Sequence, residues 1–204
     1  KSLINIFTNT TKLKDKYKDY SKNIHKISVI GSGLMGTGIS NVTVSNKLLL
    51  NIVDKNQKNL NESVNKIHNH LDKNKLRGRI NQFELDQLKH NINNFNISES
   101  DLVIEAVSED IKIKESVFKE LDSIVSDNAV LATNTSSLSV KEISNFSKNP
   151  ERVIGMHYFS PVEKMPLLEI IKGPETSEET LSKAISLGKK QGKTIIVVKD
   201  VPGF

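Results

Sequence analysis

The sequence predicts an α/β fold: a doubly wound, mostly parallel sheet extended by antiparallel strands. Three observations predict it. Strand-length apolar runs alternate with segments whose apolar residues recur every three or four positions, the pattern of strands joined by crossover helices. The run Asp101-Leu-Val-Ile-Glu-Ala-Val107 is too continuously apolar for a half-exposed strand, so its sheet is covered on both faces. In the last third, two strand-like runs are separated only by the Pro-bounded loop Ser160 to Pro166. That loop is too short for a parallel crossover and implies an antiparallel hairpin.

Taken in order, residues 1–24 are lysine-rich after an apolar start at Leu3, Ile4, Ile6 and Phe7. They read as a linker or the end of a preceding segment, and residues 25–204 as one domain. Ile27 to Ile30 forms a strand, a helix-like segment follows, and a second strand, Leu48 to Val53, ends on Asp54. From Gln57 to about Leu76 the residues Leu60, Val64, Ile67 and Leu71 mark one face of a helix, and a short helix covers Gln82 to Lys89. After the Asp101 to Val107 strand come a helix from about Ile111 to Val125 and the strand Ala129 to Ala132. The hairpin pairs Arg152 to Phe159 with Leu167 to Ile171, and a helix, Glu178 to Lys190, and a strand, Thr194 to Val198, complete the piece.

Composition narrows the function classes. Hydrophobic residues make up 36%, enough for a core, and no apolar run reaches the length of a membrane span. Cysteine is absent, which excludes disulfides and thiolate chemistry. The formal charge is +5, much of it in Lys12, Lys14, Lys16, Lys18, Lys22 and Lys26. Without stacking aromatics or a nucleic-acid motif, that run reads as a solvated face and no nucleic-acid partner is expected. A phosphate-rich cofactor or substrate suits a basic protein. His68 and His70 are two residues apart, do not share a helix face, and are not expected to bind a metal. The chain starts at Lys1 and stops at Phe204, so it is expected to be a piece of something longer.

Gly31-Ser32-Gly33-Leu34-Met35-Gly36, between the first strand and its helix, carries the clearest chemistry. Gly31 allows a sharp turn, Gly33 allows the backbone to approach a pyrophosphate, and Gly36 allows close packing of helix on strand. The helix N-terminus offers unpaired N–H groups to the phosphates. Asp54 stands where a carboxylate bonds the adenosine ribose hydroxyls and disfavours a 2′-phosphate. Together these predict a Rossmann-type domain that binds NAD.

Two further groups could do chemistry. A hairpin turn centred near Glu163 places His157 opposite Glu169 on one sheet face. A histidine facing a carboxylate suits general-base catalysis, although a structural pair has the same spacing. Asn134-Thr135-Ser136-Ser137 follows a strand whose carboxyl end borders the ligand crevice, so its hydroxyls could bond a substrate oxygen or the nicotinamide. Helix capping, with Ser139 and Glu142 as a capping box, is the other reading of this segment.

With GSGLMGTGIS, DLVIEAVSED, NTSSLS, GMHYFSPVEKMPLLEI and VVKDVPGF in this order, residues 25–204 resemble the (3S)-3-hydroxyacyl-CoA dehydrogenases. The HYFSPVEKM wording is most similar to the dehydrogenase part of multifunctional β-oxidation enzymes, the mitochondrial trifunctional α subunit among them. The resemblance implies NAD-dependent oxidation of a 3-hydroxyacyl-CoA, with His157 as base, Glu169 as its partner and Ser136 bonding the 3-oxygen. It further implies that Glu109 and Lys114 lie near the cofactor and the CoA moiety, although an exposed charge pair at a helix start is the other reading. Ser160 stands where single-function members have Asn, on the nicotinamide side.

The resemblance also implies a C-terminal helical domain absent from this chain, an oligomeric full-length enzyme, an enoyl-CoA hydratase domain upstream, and the mitochondrial matrix, with peroxisome or cytoplasm as alternatives. No metal is expected. A non-catalytic NAD-binding protein and a dehydrogenase of small free 3-hydroxy acids are the alternative functions.

Overall fold

The computed structural model describes residues 17–201. The apolar start at Leu3, Ile4, Ile6 and Phe7, the lysines Lys12, Lys14 and Lys16, and the closing Gly203-Phe204 lie outside them.

Strand β1 (Lys26–Ile30) lies inside the sheet and is buried along its middle, so Ile27 and Val29 are apolar and the one buried polar residue between them, Ser28, shares a hydrogen bond with Ser100 Oγ at 2.7 Å. β2 (Leu49–Val53) pairs with it on one side and β3 (Leu102–Glu105) on the other, both parallel. β4 (Val130–Thr133) and β5 (Val153–Tyr158) continue in parallel, β6 (Leu167–Lys172) turns antiparallel to β5, and β7 (Thr194–Lys199) runs parallel to β6. The seven-stranded order is β2-β1-β3-β4-β5-β6-β7. The chain leaves β1 first to one side and then to the other, and the crevice at that reversal is where open α/β sheets hold ligands.

Helices cover both faces. Ile27, Val29, Leu102, Ile104, Ala132 and Ile154 form one core with helices α1 (Leu34–Ser45), α2 (Gln57–Leu76), α3 (Gln82–His90) and α6 (Glu178–Lys190). The alternate strand residues Val103, Leu131 and Val153 form the second core with α4 (Ile111–Ile124) and α5 (Val140–Ser144). Neighbouring residues of one strand entering different cores is the signature of a doubly wound sheet.

Register brings the carboxyl ends level. Ile30 pairs with Val53 and with Glu105, Glu105 with Thr133, and Thr133 with Gly155. β5 continues past this row to His157, which pairs with Glu169. Along the carboxyl edge therefore stand, in spatial order, Asp54, the glycine turn, the residues after β3, those after β4, and His157.

Two local expectations are corrected. The β3 strand ends at Glu105 rather than Val107, because the Val107 N–H turns back to bond Glu105 Oε1 at 2.8 Å. The capping box at Ser139 does not form. Ser139 Oγ accepts from Glu142 N, but the other exposed donors go to Asp200, which accepts from Ser139 Oγ (2.9 Å), Val140 N (3.1 Å) and Lys141 N (2.7 Å).

Candidate active site

The three glycines of the turn each meet a different demand. Gly31 has φ +99°, a left-handed conformation, and a Cβ there would lie 2.7 Å from the Ala106 carbonyl oxygen. A Cβ on Gly36 would lie 1.9 Å from the Gly31 carbonyl oxygen, so helix α1 can start this close to β1 only without a side chain. At Gly33, the N-cap of α1, a Cβ would meet nothing within 4 Å. The missing side chain there opens space above the helix N-terminus, where the N–H groups of Leu34, Met35 and Gly36 have no acceptor within the helix.

Ser32 is only 7% exposed, and both its N–H (2.8 Å) and its hydroxyl (2.6 Å) donate to Asp54 Oδ2. Its hydroxyl therefore fixes Asp54 instead of facing the open space over Gly33. Partial burial works against the Asp54 charge, but the bonds from Ser32 and from the Asn56 N–H outweigh it and lower the pKa. Open space over a helix N-terminus, beside an ionised acceptor at the end of β2, fits the pyrophosphate and adenosine ribose of a dinucleotide.

Sequence reasoning passed over Glu105. It lies inside an apolar strand, is 0% exposed, and both carboxylate oxygens sit 2.8 Å from Lys114 Nζ. Thr133 Oγ1 also donates to it, at 2.7 Å. The available signal was an acid within a fully apolar run, which cannot be buried without a partner. Lys114 is 1% exposed, so the reading of an exposed charge pair is corrected. Its ammonium points inward between Glu105 and Glu109 Oε2, the latter at 3.3 Å.

Glu109 is the member of this cluster that reaches the crevice. Its Oε1 accepts from Thr135 Oγ1 (2.5 Å), Ser136 N (2.9 Å) and Ser137 N (3.2 Å), which ties the loop after β4 to the end of β3. Burial raises the Glu109 pKa, but the Thr135 and Ser136 bonds and the Lys114 charge together prevail and lower it to about 2. Ser136 Oγ lies 3.4 Å from the same oxygen, so Ser136 and Glu109 are brought together.

His157 Nδ1 lies 2.9 Å from Glu169 Oε2 across the β5–β6 ladder, with Phe159 tilted against the imidazole at 4.4 Å between centroids. A carboxylate only accepts, so the shared proton belongs to Nδ1, and a neutral imidazole in this arrangement carries its lone pair on Nε2. Asn134 Oδ1 accepts the Tyr158 N–H at 2.9 Å and so joins the Ser136 loop to the His157 strand. Ser160 stands exposed in the loop after β5. That loop is held by Glu163, which accepts from Asn41 Nδ2 (2.8 Å), and by Lys193 Nζ, which donates to the Met165 carbonyl (2.8 Å). Among the described residues, no cluster of three His, Cys, Asp or Glu side chains suits a metal, and no helix is long and apolar enough to cross a membrane.

The family model for the NAD-binding domain of 3-hydroxyacyl-CoA dehydrogenase matches residues 26–201. The fatty acid oxidation complex subunit alpha of Vibrio parahaemolyticus is 38% identical over the whole chain, and that of a Psychrobacter species is 36% identical. The chain spans about 30% of the Vibrio protein's length. Among solved structures, 3-hydroxybutyryl-CoA dehydrogenase from Escherichia coli is similar with a TM-score of 0.84 and 32% identity, over 89% of this chain and 39% of that one.

These findings correct the expected compartment. The relatives come from bacteria, which have no mitochondria, so they point away from a mitochondrial matrix. The motif wording that suggested it reflects cofactor and substrate chemistry and carries no address. With the family model matched from β1 to the residue after Asp200, the chain belongs to the NAD-binding domain family of the 3-hydroxyacyl-CoA dehydrogenases, and NAD is its cofactor.

Proposed function

We propose that the protein containing this chain oxidises a (3S)-3-hydroxyacyl-CoA to the 3-oxoacyl-CoA, with residues 25–204 as its NAD-binding domain. The observation that carries this reading is the 2.9 Å pair of His157 and Glu169 at the carboxyl edge, past the glycine turn. His157 Nε2 takes the hydroxyl proton while Glu169 holds Nδ1–H and stabilises the imidazolium. Ser136, steadied by Glu109, holds the substrate oxygen, and Ser160 borders the nicotinamide side. The bound nicotinamide supplies a hydride acceptor for the electron pair of the breaking C–H bond. Asp54 holds the adenosine ribose, and the N–H groups of Leu34, Met35 and Gly36 hold the pyrophosphate.

The CoA substrate is supported by the name of the Escherichia coli neighbour and by the net charge of +5, which favours a phosphate-rich ligand. The chain's 30% share of its relatives supports a longer, multidomain protein, with residues 1–24 leading in from a preceding segment such as an enoyl-CoA hydratase domain. The relatives' description as subunits of a complex supports assembly into an oligomer.

In the full-length protein, His157→Gln is expected to lower turnover about 10²–10⁴-fold with NAD binding retained. Near-original turnover would remove His157 as the base. NADH oxidation with acetoacetyl-CoA against free acetoacetate separates this reading from a dehydrogenase of small free acids, which would reduce the free acetoacetate.

A further inference from the structure

We propose that the cluster of Glu105, Lys114 and Glu109 biases the site toward the oxidised form of NAD, whose nicotinamide ring is cationic, over the reduced form, whose ring is neutral. The inference rests on the cofactor placement given above and on no catalytic role.

Two carboxylates and one ammonium leave the cluster at −1. The geometry assigns where that charge resides. Lys114 Nζ sits 2.8 Å from both oxygens of Glu105 and 3.3 Å from Glu109, so Glu105 takes most of its compensation. Glu105 and Lys114 are sealed from solvent, whereas the Glu109 side chain is 35% exposed. The uncompensated charge is therefore presented at Glu109, where water screens it only in part.

Its place on the edge follows from the strand order. With the adenosine ribose at Asp54 beside β2 and the pyrophosphate over Gly33 beside β1, the other half of the dinucleotide continues along the edge toward β3 and β4. There Glu109 binds the backbone of Ser136 and Ser137, between the glycine turn and His157. The oxidised nicotinamide ring carries one positive charge and the reduced ring none, while the two forms are otherwise nearly the same shape. A fixed negative charge beside the ring therefore separates them when hydrogen bonding and packing cannot. Glu169 takes the complementary side, because it stabilises the positive charge that His157 carries once the substrate proton has moved.

The test is a pair of affinities. Binding of NAD⁺ is measured by calorimetry and binding of NADH by its fluorescence, for the unsubstituted protein and for Glu109→Gln. The amide oxygen of glutamine keeps an acceptor for Ser136 and Ser137, so the loop can stay in place while the charge is lost. We expect the dissociation constant for NAD⁺ to rise about 3- to 10-fold more than that for NADH, the scale of one partly screened unit charge. Glu105→Gln removes the same charge from a position without ligand access, and the ratio should move in the same direction. Equal weakening of both forms would mean that Glu109 acts only through the loop, and it would overturn the proposal, as would no change in either. If the unsubstituted protein bound neither form, the cofactor placement would fail and this inference with it.

Discussion

Replacing Glu105 by alanine tests whether the buried cluster holds the carboxyl edge together. In the folded chain Glu105 accepts four hydrogen bonds: two from Lys114 Nζ at 2.8 Å, one from Thr133 Oγ1 at 2.7 Å and one from Val107 N at 2.8 Å. Removing the carboxylate strands Lys114, which is 1% exposed, with Glu109 Oε2 at 3.3 Å as its remaining ion-pair partner. Breaking one side of a buried pair costs about 3–5 kcal/mol, because the surviving charge keeps its desolvation penalty. The orphaned Thr133 and Val107 donors push the effect toward the upper end, and water entering the vacated volume pulls it back. For a domain of this size that corresponds to a melting temperature lower by about 6–20 °C. Urea unfolding followed by circular dichroism gives the free energy directly. The double substitution Glu105→Leu with Lys114→Met should recover much of the loss, since an apolar pair of similar volume replaces two desolvated charges. A loss below about 1 kcal/mol for Glu105→Ala, or a double variant as unstable as the summed singles, would falsify the account.

Three further outcomes follow from the same geometry. Gly36→Ala puts a Cβ 1.9 Å from the Gly31 carbonyl and should cost about 1–3 kcal/mol in addition to NAD binding. Gly33→Ala meets no atom within 4 Å, so it should weaken NAD binding while stability moves by less than about 1 kcal/mol; equal stability losses for the two would refute the distinction. For pH, the Glu109 pKa is lowered from 4.5 to about 2, so the stability it contributes is present above about pH 4.5 and is lost as pH falls toward 2. Glu109→Gln should flatten the urea midpoint over that window relative to the unsubstituted chain. Asp200→Ala removes the acceptor for Ser139, Val140 and Lys141, and should cost about 1–2 kcal/mol with faster amide exchange at Val140 and Lys141; unchanged exchange would mean that water caps α5 equally well.

The sequence by itself determined whatever depends on neighbours in the chain. The glycine turn, its flanking strands and Asp54 were legible because turn geometry and the apolar period are local properties. The His157–Glu169 pairing was legible because a short loop sets hairpin register, and the observed ladder has that register. Tertiary structure alone decided the contacts between elements that no short loop joins. Ser32 reaching Asp54 depends on β1 and β2 ending level, and Lys114 burying against Glu105 depends on how α4 packs over β3. Asp200 joining Ser139 in capping α5 connects residues about sixty positions apart. Glu105 shows why these were missed. A charged residue can be buried only where a partner waits, and that partner is set by strand order and helix packing, which no local pattern records.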